Sequence, residues 1–236
     1  MWEAIKVTLT AYTASFRVPH LVGHQLTLTV PPISTIYGLI SAAAGRWVTP
    51  NEVEWLAYRF EYESKEMDLE AIWTVERKKP HENPRFTTRN VIQREFLVMP
   101  RLTLYIPTKW AGVFQKPRYA LLLGRTQDVA MTESLQETTL EFVNSGVIRG
   151  VLLPFELIPK GNFSAWLYSL PVAFTDEPQR RPLRLQVFGV VDAHKGGEIQ
   201  NVDGWLVRDT QSGITLPFFQ REWILNGRAE SVSKIR

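Results

Sequence analysis

Apolar and polar side chains alternate through Leu26, Thr27, Leu28, Thr29 and Val30, the period of a half-buried strand. Pro31 and Pro32 follow, and because proline cannot donate to a ladder the strand ends there. The period then changes. Ile36, Leu39, Ile40 and Ala43 fall at i, i+3, i+4 and i+7, which predicts a helix over about 34–44 with one face in a core. Ser34 and Thr35 offer hydroxyls to cap it. The opposite face carries Gly38, Ser41, Ala42 and Gly45, so nearly bare of side chains that another backbone can come close.

The same reading predicts a first strand over 3–13, with Ile5, Val7 and Leu9 on one face, and further strands over 53–63 and 69–75. The polar, proline-punctuated stretch 77–84 is a loop. Alternation over 86–106 predicts a long hairpin with Pro100 near its bend or at an edge. Residues 109–118 read as a loop and 119–123 as a short buried strand, while 128–135 reads as a helix or a helix leading into a strand. After Arg149 come short strands over 151–158, 163–170, 183–191, 205–208 and 218–225. Gly161-Asn162 and Gly196-Gly197 serve as turn dipeptides between them. That spacing predicts a small antiparallel β unit.

With 236 residues and 44% hydrophobic content, the chain can build one sizeable core, or a domain with a smaller appendage. It has no cysteine, which excludes disulfides, thiolate zinc sites and cysteine nucleophiles and fits a reducing cytoplasm. The first residues, MWEAIKVTL, do not read as a secretory signal, and no apolar run approaches the ~20 residues that span a bilayer. Net charge is only +3, but residues 77–118 hold 10 basic and 2 acidic side chains, against 5 and 9 in residues 1–76. A concentration of this kind is the footprint of a nucleic-acid contact, and the interleaved Thr, Asn, Gln, Phe and Trp favour that over a merely solvated surface.

Several residues carry candidate chemistry. His20 and His24 lie four apart, but Pro19 and Gly23 break any helix between them and no third ligand is near. The loop is better read as presenting Arg17, His20 and His24 to phosphate or base edges. Ser34 and Thr35 open a helix whose free N–H groups favour anions. Tyr37 is either a stacking platform for a base or plain core. Gly124, Arg125, Thr126 and Gln127 emerge at a strand end, with Arg125 suited to phosphate and Gln127 to a base edge. Arg85, Thr88, Arg89, Asn90 and Arg94 stand on the expected hairpin, where arginines either clamp a backbone or blunt an exposed edge. Lys109 beside Trp110 sets a cation next to an aromatic ring. Arg17 and Arg125, both expected on loops, should be replaceable without loss of the fold.

The stretch FRVPHLVGHQLTLTVPPISTIYGLISAAAGR, residues 16–46, resembles the N-terminal signature of the CRISPR-associated protein 5 family. The match runs through Phe16, Arg17 and Pro19, then Gln25, Thr27 and Leu28. It continues through Val30, Pro31 and Pro32 to Ser34, Thr35, Tyr37, Gly38, Leu39 and Gly45. A second segment, YALLLGRTQDVA at 119–130, is similar to the family's Leu-Gly-Arg motif; together the two cover about a fifth of the chain. The resemblance implies an α+β fold: an RRM-like (ferredoxin-like) domain over 1–148 with a protruding β-hairpin thumb in the basic region of about 77–118, and a C-terminal β-rich subdomain over 149–236. It implies a non-catalytic, cofactor-free cytoplasmic subunit of a type I interference complex (Cascade) in antiviral defence, most similar to the type I-B branch. Its partners would be the 5′ handle of the CRISPR RNA, the backbone subunit and the large subunit, with target DNA met only through the complex. The implied RNA contacts are Arg17, His20, His24, Gln25, Ser34, Thr35, Tyr37, Gly38 and Arg46 from the first motif. From the basic region come Arg85, Arg89, Asn90, Arg94, Lys109 and Arg118, and from the second motif Arg125, Thr126 and Gln127. One branch of the family instead cleaves precursor RNA without metal, using Tyr, Lys and His. Here Tyr37, His81, Lys116 and Tyr119 are present without an adjacent Lys-His pair. A generic RRM-like RNA-binding module is the third reading, although no aromatic RNP-type strand pattern is evident.

Overall fold

The computed structural model describes residues 1–19, 21, 23–77 and 80–227, without the side chains of Thr88 and Arg89. His20 therefore lies outside the described residues. The fold is α+β and mostly strand. Its centre is an eight-stranded sheet in which β1 (Trp2–Ala11) lies between β5 (Arg101–Ile106) and β6 (Val129–Val143). β2 (Trp55–Glu61) pairs with the far side of β5. The helices α1 (Ile33–Ala44) and α2 (Ala111–Gln115) connect β1 to β2 and β5 to β6, so the order β6-β1-β5-β2 is built from two strand-helix-strand passes.

Alternation along β1 explains why it is central. Val7 and Leu9 pack with Ile36, Leu39, Ile40, Ala43 and Phe114 of the helices. Ala4, on the other face, joins Trp55, Ala57, Tyr105, Val207 and Phe218 in a second apolar cluster. A strand covered on both faces reads as a nearly continuous apolar run, and residues 55–60 are all buried. The second cluster lies under the C-terminal chain. There β7 (Val151–Pro154), β8 (Trp166–Pro171) and β9 (Leu185–Val191) form one three-stranded sheet, and Ser145–Ile148, Gly161–Asn162 and Gly197–Gln200 another. β10 (Leu206–Asp209) and β11 (Thr215–Pro217) extend the central sheet beyond β6, and Phe219–Gln220 pairs with β2. No helix among the described residues is long and apolar enough to cross a membrane.

Several expectations change. Residues 128–135 are not helical: from Val129 they form the start of the fifteen-residue β6, whose pairing with β1 along most of its length overrides local propensity. The hairpin expected over 86–106 is instead formed by β3 (Ser64–Glu76) and β4 (Arg85–Val98). At Met99 (φ 49°) and the buried Pro100 the chain leaves this arm and enters the central sheet. The arm thus includes Glu66, Asp68, Glu70 and Glu76 on its first strand, and the basic run 77–118 is divided between arm, sheet and α2. Residues 109–115 are short helix rather than loop, while 116–118 stay non-helical. Within 26–30 only Thr27–Leu28 are paired, with Phe16–Arg17. Tyr119 is exposed, and the buried strand over 119–123 shrinks to Leu121–Leu122. Gly161-Asn162 and Gly197 belong to strands, and 218–225 splits into Phe219–Gln220 and α3 (Arg221–Asn226). Finally, neither Ser34 nor Thr35 caps α1. The N-cap is Pro32, with no side-chain hydrogen bond, and its carbonyl accepts from Thr35 N–H at 2.9 Å.

Candidate nucleic-acid interface

Pro31 and Pro32 stop the strand at the point where α1 begins, which leaves Ser34 and Thr35 half-buried in its first turn with hydroxyls not used as caps. Beside that turn is a cleft of about 400 Å³ bordered by Arg17, Ser34, Thr35, Arg94, Arg125 and Phe174. Residues from both sequence motifs meet here because Gly124 abuts the strand leading into Arg17. Ser15 N–H donates to Leu123 O at 3.0 Å, and a Cβ built on Gly124 (φ +117°) would lie 1.9 Å from Ser15 O. Only glycine permits that approach at that dihedral.

The three arginines of the cleft differ in kind. Arg17 is exposed, donates to Leu21 O at 3.4 Å and has no carboxylate partner among the described residues. Arg94 is half-buried and paired with Glu70 of the arm. Arg125 is locked: Nε and Nη2 donate to the two Asp128 oxygens at 3.0 and 2.9 Å, its own N–H adds a third bond at 2.9 Å, and its guanidinium lies 5.4 Å from the Phe96 ring centroid. Asp128 is buried and also accepts from Thr13 Oγ1 at 2.6 Å. Arg125 lies in a loop as expected, but this buried pairing argues against its being dispensable to the fold. Short range (i, i+3) and complete burial of the carboxylate make this pair structural as well as available to the cleft.

Other predicted residues fall in different places. His24 and Gln25 form a short parallel pairing with β4 at Gln93 and Arg94, which sets them along the same region. Thr126 and Gln127 are exposed in the turn after Arg125 but do not border the cleft. Arg85 and Asn90 are exposed on the arm, and Arg89 lies in the same strand. Arg46, Lys109 and Arg118 sit at the opposite end of α1, which is ~18 Å long at 1.5 Å per residue. Arg46 pairs with Glu52 at 2.6 Å and Lys109 with Glu54, around a separate cleft. Arg118 covers Gly45 and donates its N–H to Ala43 O at 2.9 Å. These three are not brought to the Arg17 cleft.

Tyr37 and Gly38 border a second, smaller cleft of about 190 Å³, which shares Ser34, Thr35 and Phe174 with the first. Its far wall is Trp47, Ala173, Phe174 and Arg180, with the Arg180 guanidinium 4.6 Å from the Trp47 ring centroid. The predicted bare helix face is thus present, and Gly38 is exposed in it. Sequence reasoning missed Phe174 and Arg180, whose only local signal was a polar, proline-containing stretch between two strands. It also missed Asp128 as the partner of Arg125. The candidate cleavage residues are dispersed: His81 is in the turn at the tip of the arm, whereas Lys116 and Tyr119 flank the C-terminal end of α1.

No protein-family model matches the chain, and no curated protein matches it. Among solved structures it is similar to a chain of a CRISPR RNA-guided surveillance complex, with a TM-score of 0.52 and 14% identity over 84% of this chain and 91% of that one. It is also similar to a chain of the type III-B Cmr-beta complex bound to cognate target RNA and AMPPnP, with a TM-score of 0.50 and 8% identity over 82% and 86%. At such identities the likeness is one of fold.

Proposed function

We propose that this protein is a non-catalytic subunit of a CRISPR effector ribonucleoprotein that holds the 5′ handle of the guide RNA, in the manner of the CRISPR-associated protein 5 family of type I complexes. The observation that carries this reading is the cleft of about 400 Å³ at the start of α1, where the two separate motifs bring Arg17 and Arg125 beside Arg94 of the arm. Clustered arginines beside a helix N-terminus suit a phosphate backbone. The likeness in fold to a chain of an RNA-guided surveillance complex supports the same assignment. In this reading the order β6-β1-β5-β2 is the RRM-like (ferredoxin-like) domain, the β3–β4 arm is the thumb, and 149–236 is the β-rich subdomain. The backbone and large subunits would flank it. The generic module is disfavoured because the sheet face opposite the helices carries Lys6 and the buried Thr8, Arg59 and Thr103, while its Tyr105 is buried against Asp209. The cleavage reading is disfavoured by the dispersal of His81 from Lys116 and Tyr119.

The test is binding of guide RNA with an intact 5′ handle across a salt series. The logarithm of affinity should fall against the logarithm of salt with a slope near −0.7 per phosphate contacted, and Arg17→Ala should both weaken binding and reduce the slope. Affinity independent of salt, or Arg17→Ala binding as wild type, would overturn the assignment. A discrete cleavage product from repeat RNA in EDTA would favour the enzyme instead.

A further inference from the structure

Tyr37 has a hydroxyl that the fold does not use. The side chain is 4% exposed, and its oxygen is closed to water with no hydrogen-bond partner. Burial pushes the phenol well above its ordinary pKa, so it stays an O–H donor at any working pH. Buried polar side-chain atoms are paired in the large majority of cases, so an orphan donor beside a cleft calls for an explanation.

The cleft has the shape of a receptor for something small and flat. Its volume of about 190 Å³ exceeds the ~30 Å³ share of one water several-fold and falls short of the ~300 Å³ of a drug-sized site, which leaves room for one ring system. One side is the bare stretch of α1, where a Cβ on Gly38 would meet nothing within 4 Å. The other is the β8–β9 connection, tied down by Val172 N–H to Arg184 O at 3.0 Å, Leu183 N–H to Ala173 O at 2.9 Å and Thr175 N–H to Arg181 O at 2.9 Å. That strap sets Phe174 against the cleft and Arg180 over Trp47. Half of the lining residues are ring or aliphatic, joined by the hydroxyl residues Ser34, Thr35 and Ser41 and a single cation, which suits a base better than a phosphate.

We propose that this cleft takes one unstacked nucleobase of the RNA whose backbone lies in the Arg17 cleft, and that its entry displaces Arg180 and uncovers the Tyr37 hydroxyl, which then donates to a carbonyl oxygen of that base. The inference rests on the RNA-binding assignment above. Ser34, Thr35 and Phe174 border both clefts, so a strand leaving the first passes directly over the second. Arg180, exposed and rich in rotamers, is the wall residue that turns aside as the base enters. Tyr37 is then a specificity residue, distinct from the arginines that position the backbone.

The test uses the whole protein with fluorescently labelled octaribonucleotides: U8, A8 and an abasic ribose-phosphate octamer. Wild type should bind U8, whose bases carry carbonyls, about fivefold tighter than A8, and both tighter than the abasic strand. Tyr37→Phe should bring U8 to the affinity of A8 while melting at or above the wild-type temperature, because it deletes a hydroxyl the fold leaves unpaired. Arg180→Ala should weaken both base-bearing octamers. If wild type binds none of the octamers but binds guide RNA with an intact 5′ handle, the base site is wrong, and if it binds neither, the RNA assignment itself fails. If it binds all three equally, or if Tyr37→Phe keeps the U8 preference, the base site is wrong and the RNA assignment stands. A lowered melting temperature in Tyr37→Phe would show that the hydroxyl serves the fold, and would also overturn the base site.

Discussion

Replacing Arg125 by alanine should destabilise this protein severely, and the size of the loss follows from the geometry of one ion pair. The Arg125 side chain is 10% exposed and that of Asp128 is fully buried. The substitution removes two guanidinium bonds to Asp128 and leaves its carboxylate with the Arg125 N–H and the Thr13 hydroxyl as hydrogen-bond partners. Removing one member of a buried pair costs about 3–5 kcal/mol, because the remaining charge stays out of water uncompensated. For a chain of this length each kcal/mol moves the melting temperature by about 2–4 °C, so Arg125→Ala should melt on the order of 6–20 °C lower. Arg17→Ala, at an exposed side chain with one long hydrogen bond, should stay within about 0.5 kcal/mol of wild type. Adding Asp128→Asn to Arg125→Ala neutralises the stranded charge and should restore part of the loss. Thermal melting of these four proteins by scanning calorimetry decides the matter. An Arg125→Ala protein melting within about 2 °C of wild type would refute the argument that the pair is structural. If the argument holds, lost RNA binding in Arg125→Ala does not by itself identify a contact, and Arg17→Ala is the cleaner probe.

Further outcomes are expected at three residues. Asp209 is fully buried; burial raises its pKa, but bonds from Ser212 Oγ, Thr138 Oγ1, Gln211 N–H and Lys6 Nζ outweigh that and hold the carboxyl well below its usual range. Its contribution is therefore complete above the unfolded value of ~3.9 and is lost as pH falls toward the native one, so wild type should lose melting temperature progressively as pH falls below about 4. Asp209→Asn should start lower at pH 7 and show a shallower acid decline; equal slopes would count against this. Gly38→Ala should raise stability by up to about 1 kcal/mol, since the new methyl meets nothing and helix propensity improves. Gly38→Leu should fold yet bind U8 more weakly, and an unfolded or fully binding protein would contradict the open cleft. Gly124→Ala should fail to accumulate as folded protein, because its Cβ would overlap Ser15 O at 1.9 Å; a normal melting curve would show that the contact between the motifs can yield.

Local periodicity was enough to find α1 and β1. Ile36, Leu39, Ile40 and Ala43 are buried as their spacing required, and the bare helix face is open at Gly38. Prolines and glycines marked the end of the strand before α1 and the residues of both motifs. What stayed hidden were partners distant along the chain. Alternation announced a strand over 69–75 and a hairpin over 86–106 but could not say that β4 pairs backward with β3 and not forward with 101–106. Residues 128–135 are ambiguous alone and become a strand because β1, more than a hundred residues earlier, supplies its ladder. The capping expected of Ser34 failed because Pro32 takes the N-cap position two residues earlier. The strap bearing Phe174 and Arg180 reaches the helix from over a hundred residues away. Side-chain period is a property of consecutive residues, set by the pitch of helix and strand. Hydrogen-bond partner, counter-ion and cleft wall are properties of chains meeting in space, and here tertiary packing alone decided them.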